Sequence, residues 1–189
     1  ERAYTRAAFE LYQHGLSKSV FIEHGNLSKF TYTNINFIAL LLEEWAWADQ
    51  FLQQYRDCLP TQDRTPYFLQ NKAVFYFRQG AYAQTLELLQ QVEFQEIFHA
   101  LDARRMLLVS YYETGATEAL YSLLDSFALF IRRKQRSIGY HREHYANLLR
   151  FTRRLLLLDP KDAARRAALR EEIMETTAVA ERAWLLKKL

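Results

Sequence analysis

Phe77-Arg78-Gln79-Gly80-Ala81-Tyr82-Ala83-Gln84-Thr85-Leu86-Glu87-Leu88-Leu89 is followed, 35 residues on, by Tyr112-Glu113-Thr114-Gly115-Ala116-Thr117-Glu118-Ala119-Leu120-Tyr121-Ser122-Leu123-Leu124. In both stretches a turn glycine separates the end of one helical pattern from the start of the next. Leu86/Tyr121, Leu88/Leu123 and Leu89/Leu124 keep step. The same interval subtracted from Gly80 reaches Trp45, in Glu44-Trp45-Ala46-Trp47-Ala48-Asp49-Gln50-Phe51-Leu52. Self-similarity at such a period marks stacked helical hairpins, because one pair alone cannot bury its apolar face. The stretch from Pro66 to Ile131 therefore predicts an all-α chain, an α-solenoid of stacked antiparallel helix pairs.

Composition agrees. Half of the 189 residues are hydrophobic and 15% aromatic, while Gly (5) and Pro (3) are scarce. Few breakers and abundant Leu, Ala, Gln, Glu and Arg favour long helices over strands. The chain is long enough for one sizeable core. The longest fully apolar run, residues 37–42, falls far short of the roughly 20 residues that cross a bilayer. A lone cysteine, Cys58, has no internal disulfide partner, which agrees with a reducing compartment. With no charged-then-apolar leader, the expectation is a soluble, cytoplasmic chain with no membrane partner, and the opening Glu points to a piece of something longer. The net charge of +3 conceals an asymmetry. Residues 132–170 carry twelve Lys/Arg against three carboxylates, a net +9, whereas 1–131 carry −5 and 171–189 carry −1.

Periodicity and caps divide the chain as one domain, residues 1–189. An N-terminal helix (2–13) and an irregular cap fill residues 1–30, with Val20-Phe21-Ile22 extended and a turn at His24-Gly25-Asn26. Three helix pairs occupy 31–131. Thr31 or Thr33 caps the first helix, its partner spans 46–57, and Thr61 to Arg64 form a link. Thr65-Pro66 starts the next helix, since proline at the first helical position lacks a donor that would be unpaired anyway. That helix (66–79) closes at Gly80, and 82–92 follows, then a link at 93–96. Helix 98–114 closes at Gly115, and 117–134 carries Leu120, Leu123, Leu124, Phe127 and Ile131 as one stripe. A long closing pair, 137–158 and 161–187, fills 132–189, with Asp159-Pro160-Lys161-Asp162 as its second start.

The repeat resembles the tetratricopeptide repeat (TPR), which has a small residue in the first helix, an aromatic three further on, a turn glycine and an aromatic two after it. The second copy reads Ala73, Tyr76, Gly80, Tyr82, Leu86, Leu89 and the third Leu108, Tyr111, Gly115, Thr117, Leu120, Leu124. The first reads Ile38, Leu41, Trp45, Trp47, Gln50, Gln54. The copies are degenerate: the interval is 35 rather than 34, Gln50, Thr85 or Leu120 stands for an expected alanine, and Trp45 stands for a glycine. The resemblance implies a non-catalytic scaffold for a protein or peptide partner, with the first helix of each pair lining an open face. Carried over, the lining positions are Tyr32, Ile35, Ala39, Leu42 and Glu43; Tyr67, Gln70, Val74, Phe77 and Arg78; and Asp102, Arg105, Val109, Tyr112 and Glu113. Phe77 and Val74 could equally pack against the neighbouring hairpin. Gln70, Arg78, Arg105, Tyr112 and Glu113 are expected in the open, where Tyr and Arg tend to dominate binding.

Reactive chemistry has little to stand on. His141 and His144 share a helical face, but a metal would need a third ligand and a second shell, and the nearby arginines disfavour a cation. The pair reads as groove-lining or core-edge beside Tyr140 or Tyr145, and His144 joins the partner-binding candidates. Cys58 lies at a helix end with no histidine near it in sequence, so a nucleophile is not expected there. No Gly-rich phosphate loop, G-x-S-x-G or H-E-x-x-H occurs, and Glu43-Glu44 and Glu171-Glu172 read as solvated charges. The expectation is no enzyme, no cofactor and no metal. Two alternatives remain open. Arg132-Arg133-Lys134-Gln135-Arg136 with Arg150, Arg153 and Arg154 could meet the phosphates of a nucleic acid or other polyanion. The first cluster also complements a helix dipole, and Arg165, Arg166 and Arg170 could pair with Asp162, Glu171 and Glu175. Self-association, or docking within a longer polypeptide, is the other alternative.

Overall fold

The computed structural model describes residues 2–92 and 96–189. The chain is all-α apart from one small hairpin, and it divides into two compact units, Glu1–Gln95 with Val109–Gly115, and Glu96–Leu108 with Ala116–Leu189. The link expected at 93–96 lies, but for Glu96, outside the described residues.

In the first unit, α1 (Arg2–Ser17) runs four residues past its expected end and carries Gly15 and Leu16 into the core. A Cβ on Gly15 would lie 2.3 Å from the Phe21 ring, so no side chain fits there. The expected turn at His24-Gly25 is a two-residue hairpin joining β1 (Ile22–Glu23) to antiparallel β2 (Asn26–Leu27). Both turn residues have positive φ, the geometry that suits the twist of the paired strands. Helix α2 (Lys29–Leu41) is capped by Ser28, not by Thr31 or Thr33: the Phe30 N–H donates to the Ser28 hydroxyl. Helix α3 (Trp45–Gln54) ends in a 3-10 turn at Arg56–Cys58. The expected link 61–64 is instead the first turn of α4 (Thr61–Arg78), which places Pro66 inside the helix. The start is earlier because Pro60 takes the cap position and the Arg64 guanidinium donates to the carbonyls of Asp57 and Leu59. Asp63, in the first turn, pairs with Lys29 at 3.3 Å, a favourable place for a carboxylate at a helix start.

Helix α5 (Tyr82–Leu89) packs on α4; α2 packs on α1, α3 and α4, and α3 also packs on α4. Phe9, Leu27, Tyr32, Ile35, Ala39, Phe51, Leu52 and Leu59 form the centre of this core. Each large side chain so buried contributes roughly 1.5–3 kcal/mol. A polar seam joins α2 to α4: the Asn36 amide donates to the Asn71 backbone and side-chain oxygens at 3.2 and 3.1 Å, and the Asn71 amide donates to Tyr67 and Thr33.

The second unit contains the first part of α6 (Ile97–Glu113), then α7 (Thr117–Arg133), α8 (Gln135–Ile138), α9 (His141–Leu156), α10 (Ala163–Glu175) and α11 (Arg182–Lys187). Leu120, Leu124, Phe127 and Ile131 turn inward along α7 as their spacing predicts. The expected closing helix 161–187 is two helices, broken at residues 176–181. The break is tied to α9, because the Asn147 amide donates to the Ala178 carbonyl at 2.8 Å and the Ala180 N–H to the His144 carbonyl at 3.1 Å. Arg182 occupies the freed carbonyls of Thr176 and Thr177.

Three bends have one backbone. Gly80 (φ +74) and Gly115 (φ +71) stand just past the ends of α4 and α6 as expected, and Glu43 (φ +61) stands past α2. The next residues, Glu44, Ala81 and Ala116, have φ between −76° and −82° and ψ between 59° and 66° before the following helix begins. After α4, Ala81 N–H donates to Tyr76 and Gly80 N–H to Phe77; after α2, Glu44 N–H donates to Ala39 and Glu43 N–H to Leu40. This is the paired hydrogen-bond closure of a helix that requires a left-handed residue. Trp45 is therefore not the counterpart of glycine; Glu43 is, 37 residues before Gly80. Glu43 is a turn residue rather than a helix charge.

Candidate functional site

The corrected register decides which side of α2 faces outward. Thirty-seven residues before Tyr67, Gln70, Val74, Phe77 and Arg78 stand Phe30, Thr33, Phe37, Leu40 and Leu41. Tyr32, Ile35, Ala39 and Leu42, expected on the open face, are core residues at 0%, 0%, 0% and 5% exposure. Two residues rotate a helix by about 200°, which exchanges its inner and outer sides. Of these counterparts Leu40 is buried at 2%, while Phe30 is 62% exposed, Phe37 47% and Leu41 44%, with the polar Asn34 exposed in line between them. Their spacing of seven and four sets them on one side of the helix. The Arg78 guanidinium reaches over the Phe37 ring, 5.9 Å from its centre. Phe30, Phe37 and Leu41 are the residues that sequence reasoning missed. Matching Trp45-Ala46 to Tyr82-Ala83, two aromatic-alanine helix starts, would have found them.

The other candidates divide between the units. Tyr67 and Gln70 are buried at 5% and 7% exposure, so Gln70 is not in the open as expected; α4 has α2 and α3 on one side and α5 on another. The Lys29 ammonium lies 4.8 Å from the Tyr67 ring centre. Phe77 is half-buried against Tyr82, with ring centres 5.9 Å apart, and Arg78 is exposed. Tyr112 and Glu113, both half-buried, end α6 in the first unit.

Arg105 and His144 belong to the second unit. Arg105 is not open either. Its guanidinium grips Asp102 at 2.7 Å and also Glu181, which ties α6 to the start of α11. Burial alone would lower its pKa, but the two carboxylates raise it overall, so it stays charged. Tyr145 nearby has its hydroxyl pKa raised, chiefly by burial and then by Asp102 and Glu181 against an opposing Arg105.

The basic belt resolves into two populations. Arg150 and Arg154 share Glu172, Arg153 pairs with Asp125 at 2.7 Å, and Arg165 pairs with Asp162. Arg166 and Arg170 do not pair along their own helix as expected. They donate to the carbonyls of Lys188, Leu189 and Leu186 at the end of α11. Arg132, Arg133, Lys134, Arg136 and Arg142 are exposed, and among the described residues their side chains make no ion pair or hydrogen bond. They bracket a ring cluster at the α8–α9 junction. Gly139 (φ +59, ψ −135) turns the chain there, and Tyr140 is 77% exposed with its ring centre 3.9 Å from that of His141. Phe98, 51% exposed, meets His141 edge-on at 5.5 Å, and His144 lies 6.5 Å from both Tyr140 and His141.

A cleft of about 300 Å³ between α1 and α3 is lined by Gln13, Leu16, Ser17, Trp47, Gln50, Phe51, Gln54 and Tyr55, a wall of amides, hydroxyls and rings without carboxylate, imidazole or thiol. Among the described residues no three His, Cys, Asp or Glu side chains converge as a metal site, and no helix is long and apolar enough to cross a membrane. Comparison with family models, curated proteins and solved structures returns no match.

Proposed function

We propose that the chain is a non-catalytic protein-interaction module, built on TPR-like helix pairs, that holds an amphipathic partner segment against the outward side of α2. The observation that carries this reading is the exposed line Phe30, Phe37 and Leu41. A helix packed on a core normally turns polar residues to water. Apolar surface left wet forfeits about 25 cal/mol per Å², which is recovered when a partner covers it. Arg78 lies over Phe37 and makes no ion pair, so it favours a partner whose apolar ridge is flanked by a carboxylate. An aromatic pair with an adjacent arginine is the composition of an interface hot spot.

Selection from a displayed library of amphipathic peptides tests this. Selected peptides should carry an acidic flank and should bind Phe30→Asp/Phe37→Asp at least about tenfold more weakly, the loss of one or two buried anchors. These side chains are exposed, so far-UV circular dichroism should be unchanged. A selection that yields no binder, or binders indifferent to the double substitution, rejects the reading.

A further inference from the structure

We propose that the corner formed by the last turn of α7, by α8 and by the first turn of α9 binds a short single-stranded nucleic acid, its phosphates on Arg132, Arg133, Arg136 and Arg142 and a base on Tyr140. This surface and the α2 face share no residue, so either proposal can fail alone.

The first line of support is charge left uncompensated. In the same belt Arg153 and Arg165 each meet a carboxylate, Arg150 and Arg154 share one, and Arg166 and Arg170 meet carbonyls at a helix end, while Lys161, on the link between α9 and α10, stands apart from the corner. The five cations of the corner lie within the eleven residues 132–142, a span that holds no carboxylate and is followed directly by Glu143, and among the described residues their side chains make no ion pair or hydrogen bond. Arg132 and Arg133, in the last turn of α7, complement its dipole. That account does not extend to Arg142, which stands in the first turn of α9 where the dipole disfavours a cation. Mutual repulsion among such charges is relieved by a polyanion, whose binding also releases its condensed counterions.

The second line is the rings. Tyr140 and Phe98 turn large faces to water, and His141 lies against both. Ring faces set among cations are what single strands use, since every base offers a π-face to stack while the groove tracks the backbone. Bases paired in a duplex cannot reach such a ring, and an acidic peptide has no use for it. A Cβ on Gly139 would meet nothing within 4 Å, so the backbone beside Tyr140 is open to close approach. Its positive φ makes glycine the suitable residue for that turn.

Fluorescence anisotropy with labelled twelve-nucleotide dT and rU strands, the matching duplexes and polyglutamate decides the matter. Single strands are expected to bind more tightly than duplexes at low salt, with log K falling against log salt at about −0.7 per phosphate neutralised, for three to five phosphates. Tyr140→Ala should weaken binding about tenfold, the loss of one base stack, while circular dichroism stays unchanged. Arg132→Gln/Arg136→Gln should weaken it more than Arg150→Gln/Arg154→Gln, which removes the same formal charge from two arginines partly compensated by the Glu172 they share. The proposal is overturned by no binding at low salt, by equal binding of duplex and single strand, by indifference to Tyr140→Ala, or by polyglutamate competing as well as the oligonucleotide.

Discussion

Tyr32 is wholly buried, and its hydroxyl donates to the Leu52 carbonyl at 2.8 Å. That carbonyl lies in the last turn of α3, where no helical N–H reaches it. Burial raises the Tyr32 pKa well above the ordinary phenol, with Arg56 opposing weakly. The unfolded chain ionises this group near pH 10, while the folded chain holds its proton. The stabilisation is therefore complete below about pH 10 and is lost as pH climbs toward the folded value. Tyr145, raised in the same direction, adds to that slope. Tyr32→Phe should cost about 1–3 kcal/mol at neutral pH, because Leu52 is left unpartnered in the core. It should also make stability fall less steeply above about pH 10. Urea midpoints at about pH 7 and about pH 10.5 measure both effects, and equal alkaline slopes for the two proteins would show that the Tyr32 proton is not the cause.

At the scale of elements, the left-handed turn residues invite a paired substitution. Glu43 occupies at φ +61 a conformation that costs a side-chain-bearing residue roughly 1–2 kcal/mol and glycine little. After glycine's larger unfolded-state entropy, Glu43→Gly should stabilise by about 0.5–1 kcal/mol, and Gly80→Glu should destabilise by at least about 1 kcal/mol. Only the Tyr82 ring, at 3.9 Å, lies within 4 Å of a Cβ built on Gly80, so strain rather than collision sets the loss. Chemical denaturation reads both, and a neutral or destabilising Glu43→Gly would mean that the glutamate side chain compensates for its backbone. The same three bends explain what the sequence made legible. Gly80 and Gly115 announce their helix ends because glycine is the cheap left-handed residue, and the α7 stripe follows from spacing alone. Glu43 announces nothing, since tertiary packing imposes its conformation, and the two-residue slip that followed hid Phe30, Phe37 and Leu41. The break at 176–181 was equally hidden. Leu169, Ile173 and Trp184 are all buried and keep a helical rhythm through it, while its cause lies some thirty residues away, in the Asn147 amide and the His144 carbonyl of α9.

For the molecule as a whole, the charge asymmetry of +9 in residues 132–170 is a sequence property, but its distribution is set by folding. Glu172 on α10 is the pivot: Arg150 (3.2 Å) and Arg154 on α9 both converge on its carboxylate. The three side chains are 37–47% exposed, and ion pairs in water at such exposure contribute only about 0–1 kcal/mol. Glu172 therefore matters more to the field outside the chain than to stability within it. Glu172→Gln should shift the melting temperature by no more than a few degrees. By freeing two guanidinium groups it should raise the salt concentration at which the chain leaves a heparin column, since each added phosphate contact steepens the salt dependence of polyanion binding. Asp125→Asn, which releases Arg153 alone, should give a smaller shift in the same direction. A large loss of stability with unchanged elution would reverse the assignment, making the α9–α10 pairing a structural clamp rather than a partial neutralisation of the charge along α9.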